Sequence, residues 1–341
     1  MKRVFGLEGS DLAASPRVVT VGAFDGVHLG HVRTLHYARR EARQRDAETA
    51  AVTFDPSPRE LEDGVRQPGR RLTPVNEQLC LLQGLALDLA VVLEFPGTIQ
   101  EMEPEDFVRE VLVGRLNAVC VCASESHRFG AGGRGDLHLL RDLGGRLGFA
   151  VTIAQPDMIG GRRVSSTWVR ELLAAGQANR AAALLGRPYA LFGEVVEGRG
   201  RGRQLGFPTA NLCIPPEKVL PRDGVYAGVA AQVTADYDVL EQPRPAAINI
   251  GTAPTFGREQ RAVEVHVLGG EAHLAGACVK VQFLRWLRPE RTFPDEDALV
   301  RQIREDVTRT EAAAGAAGRP PPDGGSTLRQ SRLPSGEGPA A

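Results

Sequence analysis

The sequence predicts a two-part α/β protein: a parallel sheet covered by helices, followed by a small closed β-barrel with a C-terminal helix. Between residues 18 and 154, apolar runs alternate with charged segments of helical periodicity, which is typical of a doubly wound parallel sheet. From residue 186, short strand-like runs separated by turn residues replace that alternation and favour a small barrel. Acidic residues at 295–297 then precede an apolar stripe ending at Val307, which predicts a final helix.

In the first part, apolar runs are interpreted as buried strands and the charged segments between them as helices. The strands are predicted at 18–21, 49–54, 89–95, 118–123 and 149–154, and the helices at 32–44, 74–84, from 104, and at 137–147. An alanine-rich helix predicted at 178–185 closes this first domain, which we place at residues 1–185. Such sheets bind ligands at the carboxyl ends of their strands, so we expect a ligand at the turn after residue 21.

In the second part, six short runs predict the barrel strands. They lie at 189–196, 208–214, 225–233, 246–250, 263–268 and 279–287. We place this second domain at residues 186–312. Beyond it the chain consists mainly of alanine, glycine, proline and serine without periodicity, so residues 313–341 are predicted to form a disordered tail.

Length, charge and hydropathy limit the functional classes. The chain has 341 residues, enough for two domains that each bury a core, and its formal net charge is −1. That charge gives no case for nonspecific binding to nucleic acid. No apolar run approaches the roughly 20 residues that a membrane span needs, and no signal-like apolar segment follows Met1. We therefore expect a cytoplasmic protein that binds neither nucleic acid nor membrane.

The cysteines give no sign of a metal site or of disulfides. There are 5 of them, scattered along the chain. Cys120 and Cys122 share one face of an apolar run, which is the spacing of a core strand and not of a zinc site. We expect none of the cysteines to bind a metal or form a disulfide.

A glycine-rich turn, VGAFDGVHLGH, is the strongest functional signal in the first domain. Gly22, Gly26 and Gly30 allow unusual dihedrals and close backbone approach, and His28 and His31 stand one helical turn apart. A helix N-terminus with two imidazoles beside it is suited to an anion, and best to a polyphosphate. The alternative is a strand–turn–helix with two surface histidines and no chemistry. The complete pattern G-x-F-D-G-x-H-x-G-H favours phosphate binding.

A second candidate anion site follows at VSSTWVRELL. Ser165, Ser166 and Thr167 precede a predicted helix, and Arg170 lies in its first turn. An ordinary helix cap with a solvated arginine explains the same residues. The presence of the first loop favours the functional interpretation.

The second domain carries a glycine- and arginine-rich stretch, GRGRGRQLGFPTANL. Gly202, Arg203 and Gly206 lie in a loop that can wrap phosphates, and Pro208 keeps the chain extended after it. Thr209 and Asn211 then point to the same side, and their neutral oxygens suit Mg²⁺ with its water and phosphate ligands. An arginine-rich hairpin, low complexity or RNA contact is the alternative explanation of this stretch.

These motifs resemble those of one enzyme family. The first loop resembles the phosphate loop of the nucleotidyltransferase superfamily, and its Phe24-Asp25-Gly26 variant resembles the adenylyltransferase half of bacterial bifunctional riboflavin kinase/FAD synthetases. The string G-x-x-x-G-R-x-L-G-F-P-T-A-N is similar to the riboflavin kinase motif at every specified position. The resemblance implies a Rossmann-like domain that makes FAD from FMN and ATP, releasing pyrophosphate, and a barrel that makes FMN from riboflavin and ATP with Mg²⁺.

The resemblance also implies roles for single residues. In the family the S-S-T-x-(I/V)-R run contacts the ATP phosphates from the side opposite the two histidines. The strand VEVHV carries Glu264 on the face opposite its valines, and the family uses this glutamate as the base that deprotonates the ribityl alcohol. Without the motif, we would interpret Glu264 as a solvated carboxylate on a strand. His266 reads as an ordinary strand residue, and we assign it no chemistry.

Several positions depart from the family pattern. Ser126 stands where the family has aspartate or asparagine, Ser57 where histidine is usual, and Gln78 where lysine is usual; residues 269–277 also differ. We expect both activities to persist with altered flavin affinity. One alternative is a riboflavin kinase whose first domain is degenerate, and another is a flavin-binding regulator without turnover. The regulator is disfavoured because a pure binder does not require a base, and the residues expected for catalysis are intact: His28, His31, Thr209, Asn211 and Glu264.

Overall fold

The computed structural model describes residues 1–8, 12–197, 202, 205–255, 258–269 and 274–317. Its first part is a six-stranded parallel sheet in the order β1-β6-β3-β2-β7-β8, with two short hairpins beside it. The strands are β1 Lys2–Phe5, β2 Arg17–Val21, β3 Glu48–Asp55, β4 Leu61–Glu62, β5 Val65–Arg66, β6 Leu89–Glu94, β7 Ala118–Ser124, β8 Ala150–Ala154, β9 Met158–Ile159 and β10 Arg162–Arg163.

Helices connect these strands and cover the sheet. They are α1 Leu29–Arg45, α2 Val75–Gly84, α3 Thr98–Glu101, α4 Pro104–Asp106, α5 Leu137–Leu147, α6 Ser166–Ala174 and α7 Ala178–Leu185. After α4 the chain continues as a π-helix over Phe107–Arg115, which ends with the N–H of Leu116 donating to the carbonyl of Val111 at 3.0 Å. The apolar runs predict the strands β2, β3, β6, β7 and β8 to within one residue, whereas the edge strand β1 is not predicted.

The predicted start of the first helix is wrong. The helix α1 begins at Leu29, not at residue 32, because His28 caps it: the Nδ1 atom of His28 accepts from the N–H of His31 at 3.3 Å. A histidine is not among the usual capping residues, so the sequence pattern does not show this start. The consequence is that both histidines lie at the positive end of the helix.

The second part is a closed antiparallel barrel in the order β11-β12-β15-β14-β13-β16, as predicted. The strands are β11 Tyr189–Val196, β12 Ala210–Cys213, β13 Gly224–Val233, β14 Arg244–Thr255, β15 Arg258–Val267 and β16 Cys278–Arg288. Tyr226, Ile248, Val265 and Phe283 are among the side chains that fill its interior. Both β14 and β15 are longer than the apolar runs at 246–250 and 263–268.

The C-terminal helix is longer than predicted. This helix, α8, spans Glu296–Ala317 and is held to the barrel by Arg288, whose Nε and Nη2 atoms donate to Oδ2 of Asp306 at 2.9 and 2.8 Å. The start of the predicted tail at residue 313 is therefore wrong, because Ala313 is helical and packs against the barrel residues Val225 and Leu287. Residues 318–341 lie outside the described part of the chain.

The two parts share one apolar core. A single cluster of buried side chains combines residues of the sheet domain with residues of the barrel, including Leu72, Val169, Leu173, Leu185, Tyr189 and Phe283. The hydroxyl of Tyr189 donates to the carbonyl of Val219 at 2.7 Å, and it lies 3.3 Å from the carbonyl of Leu72 across the boundary. Removing this much apolar surface from water favours one fixed arrangement of the two parts.

Polar contacts add specificity to this boundary. The ammonium of Lys218, on the barrel side, pairs with the carboxylate of Glu77 on α2, and both side chains are almost fully buried. Burial lowers the pKa of Lys218 and raises that of Glu77, and each partner opposes the shift of the other. The guanidinium of Arg187 donates to the carbonyls of Gly26 at 2.7 Å and Val27 at 3.0 Å, so the barrel also supports the glycine-rich turn.

No helix in the described ranges is long and apolar enough to cross a membrane.

The buried ion pair generates a first prediction. In the variant Lys218→Met, the carboxylate of Glu77 stays buried without its partner, so we expect the free energy of unfolding to fall by about 3–5 kcal/mol. The double variant Lys218→Met/Glu77→Leu removes both charges and should recover most of that loss. Urea denaturation measures both effects, and an unchanged midpoint for the single variant would contradict the assignment.

Candidate active sites

The glycine-rich turn lies at the carboxyl end of β2, near the centre of the sheet. The N–H of Gly22 donates to the carbonyl of Val52 at 3.0 Å, so the turn begins in register with β3. Phe24, Gly26 and Val27 then have positive φ values of 44°, 84° and 40°. Two of these are not glycine, so the turn is held in a conformation that costs free energy and that other contacts must maintain.

Asp25 supplies those contacts. Its Oδ1 atom accepts from the backbone N–H groups of Leu72 at 2.9 Å and Thr73 at 3.0 Å, and its Oδ2 atom pairs with the guanidinium of Arg170. Arg170 donates also to the carbonyl of Arg70, at 2.9 Å. We predicted that Asp25 and Arg170 bind the nucleotide, and this stays a prediction. The structure shows that the Asp25 carboxylate has three protein partners, which hold the turn in place.

His28 and His31 lie together at the start of α1. Their rings stack with centroids 3.7 Å apart, which confirms that both face the same side, and the ring of Phe24 meets His31 edge-on at 5.4 Å. Because Nδ1 of His28 accepts a hydrogen bond, the neutral ring carries its proton on Nε2. Nδ1 of His31 is buried and has no hydrogen-bond partner among the described residues, which is uncommon for a buried ring nitrogen.

The electrostatic environment of this pair is positive, although both rings are neutral. Burial, together with the charges of Arg163 and Arg187, lowers the pKa of His28 to about 4. Burial also lowers the pKa of His31 well below its usual value, and His28, Arg163, Arg187 and Arg59 act in the same direction. None of these three arginines is predicted from the sequence to lie at this site. Only Arg163 had a local signal, since it closely precedes the serine run.

The second predicted anion segment packs against the first. Ser165 caps α6, its Oγ accepting from the N–H of Trp168 at 3.2 Å, and the hydroxyl of Ser166 donates to the carbonyl of Asp25 at 2.8 Å. A Cβ on Gly30 would lie 3.2 Å from the His28 ring and 3.6 Å from the carbonyl of Val164, so glycine permits this close approach. The structure thus brings together the two segments that the sequence predicted to act on one anion.

An arginine outside both motifs reaches the same segment. Nη1 of Arg59 donates to the hydroxyl of Thr167 at 3.3 Å. Arg59 follows Ser57, the position at which the family has histidine. Ser57 is buried, and its N–H donates to Oε1 of Glu60 at 2.8 Å. The altered position is therefore part of a compact turn that holds Arg59 beside the site.

Gln78, another departure from the family pattern, also supports the turn. Its Nε2 atom donates to the carbonyl of Ala23 at 2.5 Å, and its Oε1 atom accepts from the fully buried Arg71 at 3.2 Å. A neutral amide at this position holds the backbone of the turn without adding a charge. Ser126 lies exposed in the turn after β7, at the same edge of the sheet.

The barrel places a second set of polar residues side by side on its outer face. Glu264 on β15 is directly opposite Asn211 on β12 and directly opposite Asn249 on β14. Residues opposite each other in antiparallel strands point to the same face. The alternating neighbours Val263 and Val265 belong to the interior, so these three polar side chains face outward.

The turn before β12 folds against this row. The carbonyl of Gly202 accepts from the N–H of Phe207 at 2.8 Å, and a Cβ on Gly202 would lie 3.1 Å from Oγ1 of Thr209. Gly206 has a φ of 82°, as a glycine turn requires. Arg203 lies outside the described residues, as do residues 198–201 and 270–273 of the segments discussed above.

His266 holds the Phe-Pro-Thr segment in place. Its Nδ1–H donates to the carbonyl of Pro208 at 2.8 Å, and its ring meets Phe207 edge-on at 5.6 Å. This contact fixes the backbone next to Thr209. We assigned no chemistry to His266, and the structure shows it bound to the segment that precedes Thr209. Its position two residues after Glu264 is the only sequence signal that places it on this face.

The donor set fits a hard cation that is bound mainly through a substrate. Thr209 and Asn211 offer neutral oxygens, which suit a Mg²⁺ ion that keeps water and phosphate ligands. In the described part of the chain no group of three or more His, Cys, Asp or Glu could hold a metal by itself. Burial raises the pKa of Glu264, and the carboxylate of Glu290 raises it further.

Comparison with protein families identifies both halves. Residues 11–168 match the FAD synthetase family, and residues 185–314 match the riboflavin kinase family. The bifunctional riboflavin kinase/FMN adenylyltransferase of Escherichia coli strain K12 is 36% identical over 318 residues, which cover 91% of this chain and 97% of that protein. The protein of the same name from Haemophilus influenzae is 31% identical, and the match covers 92% of this chain and 99% of that protein. The one from Pseudomonas fluorescens is 35% identical, and the match covers 87% of this chain and 93% of that protein.

A solved structure shares the whole architecture. It is described as a macrolide-efflux protein from Streptococcus pneumoniae, and it matches with a TM-score of 0.81 at 26% identity, covering 91% of this chain and 99% of that one.

The buried histidines generate a prediction for stability. The folded chain keeps His28 and His31 neutral, whereas the unfolded chain protonates them below about pH 6.5. The free energy of unfolding should therefore fall as the pH falls from about 6.5 towards 4, by up to about 1.4 kcal/mol per pH unit for each histidine.

Urea denaturation of His28→Asn/His31→Asn across this pH range should give a flatter profile than the wild type. The control is His138→Asn, since the side chain of His138 is 86% exposed. Parallel profiles for the double variant and the wild type would contradict the burial argument.

Proposed function

This chain belongs to the bifunctional riboflavin kinase/FMN adenylyltransferase family, and from that premise we propose how its residues divide the two reactions. The enzyme phosphorylates riboflavin with ATP to give FMN, and it adenylylates FMN with a second ATP to give FAD and pyrophosphate. Family matches cover both halves of the chain, so a kinase with a degenerate first domain is not favoured. The substrates imply a cytoplasmic enzyme, since ATP is abundant there.

The adenylyltransferase site is proposed at the glycine-rich turn. The observation that carries this assignment is the stacked His28–His31 pair, with a buried ring nitrogen that has no protein partner in the described residues. An ATP polyphosphate placed between these rings and the start of α6 would accept from His28 Nε2–H and pair with the nearby arginines. Thr167 and the backbone of Gly30 border the same space.

Catalysis at this site is proposed to be positioning and charge stabilisation. A phosphate oxygen of FMN attacks the α-phosphorus of ATP, and the bond from that phosphorus to the bridging oxygen breaks as pyrophosphate leaves. His28, His31, Arg59 and Arg163 would stabilise the charge that develops on pyrophosphate. No covalent enzyme intermediate is required.

The kinase site is proposed on the outer face of the barrel, along the row Asn211–Glu264–Asn249. Glu264 would take the proton of the terminal ribityl hydroxyl as that oxygen attacks the γ-phosphorus of ATP. The raised pKa of Glu264 suits a base that must hold this proton during transfer. Thr209 and Asn211 would hold a Mg²⁺ ion, which supplies positive charge to the ATP phosphates, and Gly202, Gly206 and Pro208 shape the loop around them.

Glu264→Gln tests the base. The variant keeps the shape of the side chain but cannot accept the proton, so FMN formation should fall by about 10²- to 10⁴-fold. FAD synthesis from supplied FMN should continue, because it uses the other domain. Glu194→Gln, an exposed glutamate on β11, is the matched control. Full kinase activity in Glu264→Gln would show that Glu264 is not the base.

His31→Asn tests the other site. Loss of the unpartnered imidazole should reduce FAD formation from FMN by about 10²-fold or more, while FMN formation from riboflavin is unchanged. His36→Asn, on the exposed side of the same helix, provides the control. The proposal fails if both variants make FAD at the wild-type rate.

A further inference from the structure

A second carboxylate lies beside the proposed base of the kinase site. Glu290 follows β16 in the connection to α8, and its Oε1 atom accepts from Nδ2 of Asn249 at 3.1 Å. Asn249 is directly opposite Glu264 on the neighbouring strand. Glu290 therefore belongs to the same outward-facing row, although it comes from a connection far along the chain. No sequence motif described above includes it.

The absence of a side chain at Gly251 on β14 leaves room for the carboxylate of Glu290. Gly251 lies two residues after Asn249 and so points to the same face of β14. A Cβ at Gly251 would overlap the carboxylate of Glu290. Asn249 thus supplies a hydrogen-bond donor to Glu290, and Gly251 supplies the space for its carboxylate.

Fold stability does not account for this arrangement. Glu290 is exposed, and its anchor is a neutral amide and not a cation. It lies close enough to Glu264 to raise the pKa of that residue, so the two carboxylates repel each other. Within the described ranges, Oε2 of Glu290 has no hydrogen-bond donor. Asn249 fixes Glu290 through Oε1, so Oε2 can still accept a hydrogen bond beside the carboxylate of Glu264. A ligand with hydrogen-bond donor groups would complete this arrangement.

The ligand chemistry follows from the composition of the row. Two amides and two carboxylates lie side by side, from Asn211 through Glu264 and Asn249 to Glu290. Ionised carboxylates only accept hydrogen bonds, and amides both donate and accept. Spaced hydroxyls, as in a polyol, match such a set, and the side chain of riboflavin is a polyol.

We propose that Glu290 accepts a hydrogen bond from a ribityl hydroxyl next to the one that is phosphorylated, and so determines the enzyme's preference for a polyol side chain. This inference rests on the proposed kinase site. Glu290 would hold the chain so that its terminal hydroxyl reaches Glu264. Asn249 acts through Glu290 as a positioning residue.

The test uses the full chain and substrates that differ by one hydroxyl. Glu290→Gln and Glu290→Ala are assayed with riboflavin and with analogues that each lack one side-chain hydroxyl. In the variants, we expect KM for riboflavin to rise about 10- to 100-fold, the range for a lost hydrogen bond to a charged group, with KM for ATP and the Mg²⁺ requirement unchanged. Wild-type enzyme should discriminate against one of the analogues, and Glu290→Ala should not.

Two controls separate this result from damage to the fold. Glu305→Gln changes an exposed glutamate on α8 and should leave all constants unchanged. FAD synthesis from supplied FMN by the same variants should match the wild type. Asn249→Ala should show part of the loss in riboflavin KM, because Glu290 loses its anchor.

Three results would overturn the proposal. The first is an unchanged riboflavin KM in both Glu290 variants. The second is equal discrimination among the analogues by wild type and Glu290→Ala. The third is a raised Mg²⁺ requirement with unchanged riboflavin KM, which would make Glu290 a cation ligand. Failure of the base assignment would look different, since it would appear as undiminished kcat in Glu264→Gln at saturating riboflavin.

Discussion

The carboxylate of Asp25 is the constraint on which the adenylyltransferase half depends. It accepts hydrogen bonds from the backbone of residues 72–73 and pairs with Arg170, and so holds a turn in which non-glycine residues have left-handed dihedrals. The barrel contributes from the other side, where Arg187 binds two carbonyls of the same turn. These contacts hold the turn that carries the two stacked imidazoles, and catalysis by positioning at the proposed site requires such a fixed arrangement.

The kinase half depends on a simpler rule, the alternation of side chains along antiparallel strands. Because side chains alternate along β15, the residue after each inward-facing valine faces outward. The cross-strand register then places Glu264 opposite one asparagine on each neighbouring strand. The connection after β16 adds Glu290 to this face. The barrel's core thus determines which polar residues face outward, and the apolar core that the barrel shares with the sheet domain joins the two parts.

Most of the fold could be predicted from the sequence, because its strands are short apolar runs separated by clear turn signals. The buried strand β2 is fully apolar except for Arg17 and Thr20, and the alternating residues of β15 show a half-buried strand directly. The edge strand β1 has only one partner strand and carries little apolar signal. The start of α1 was misplaced because a histidine caps it, and the end of α8 because its last turn is alanine-rich and reads like the tail.

The chemistry could be predicted only where residues lie close together in the chain. The histidine pair, the serine run and the Thr-x-Asn segment are local patterns, whereas Arg59, Arg187 and Glu290 reach their sites through tertiary contacts.

The central claim is that the Asp25 carboxylate builds one site without contributing to the other. It is tested by incubating Asp25→Asn with riboflavin, ATP and Mg²⁺ and separating the flavins by chromatography. The account predicts that FMN accumulates where the wild type proceeds to FAD; formation of FAD by the variant at the wild-type rate would contradict it.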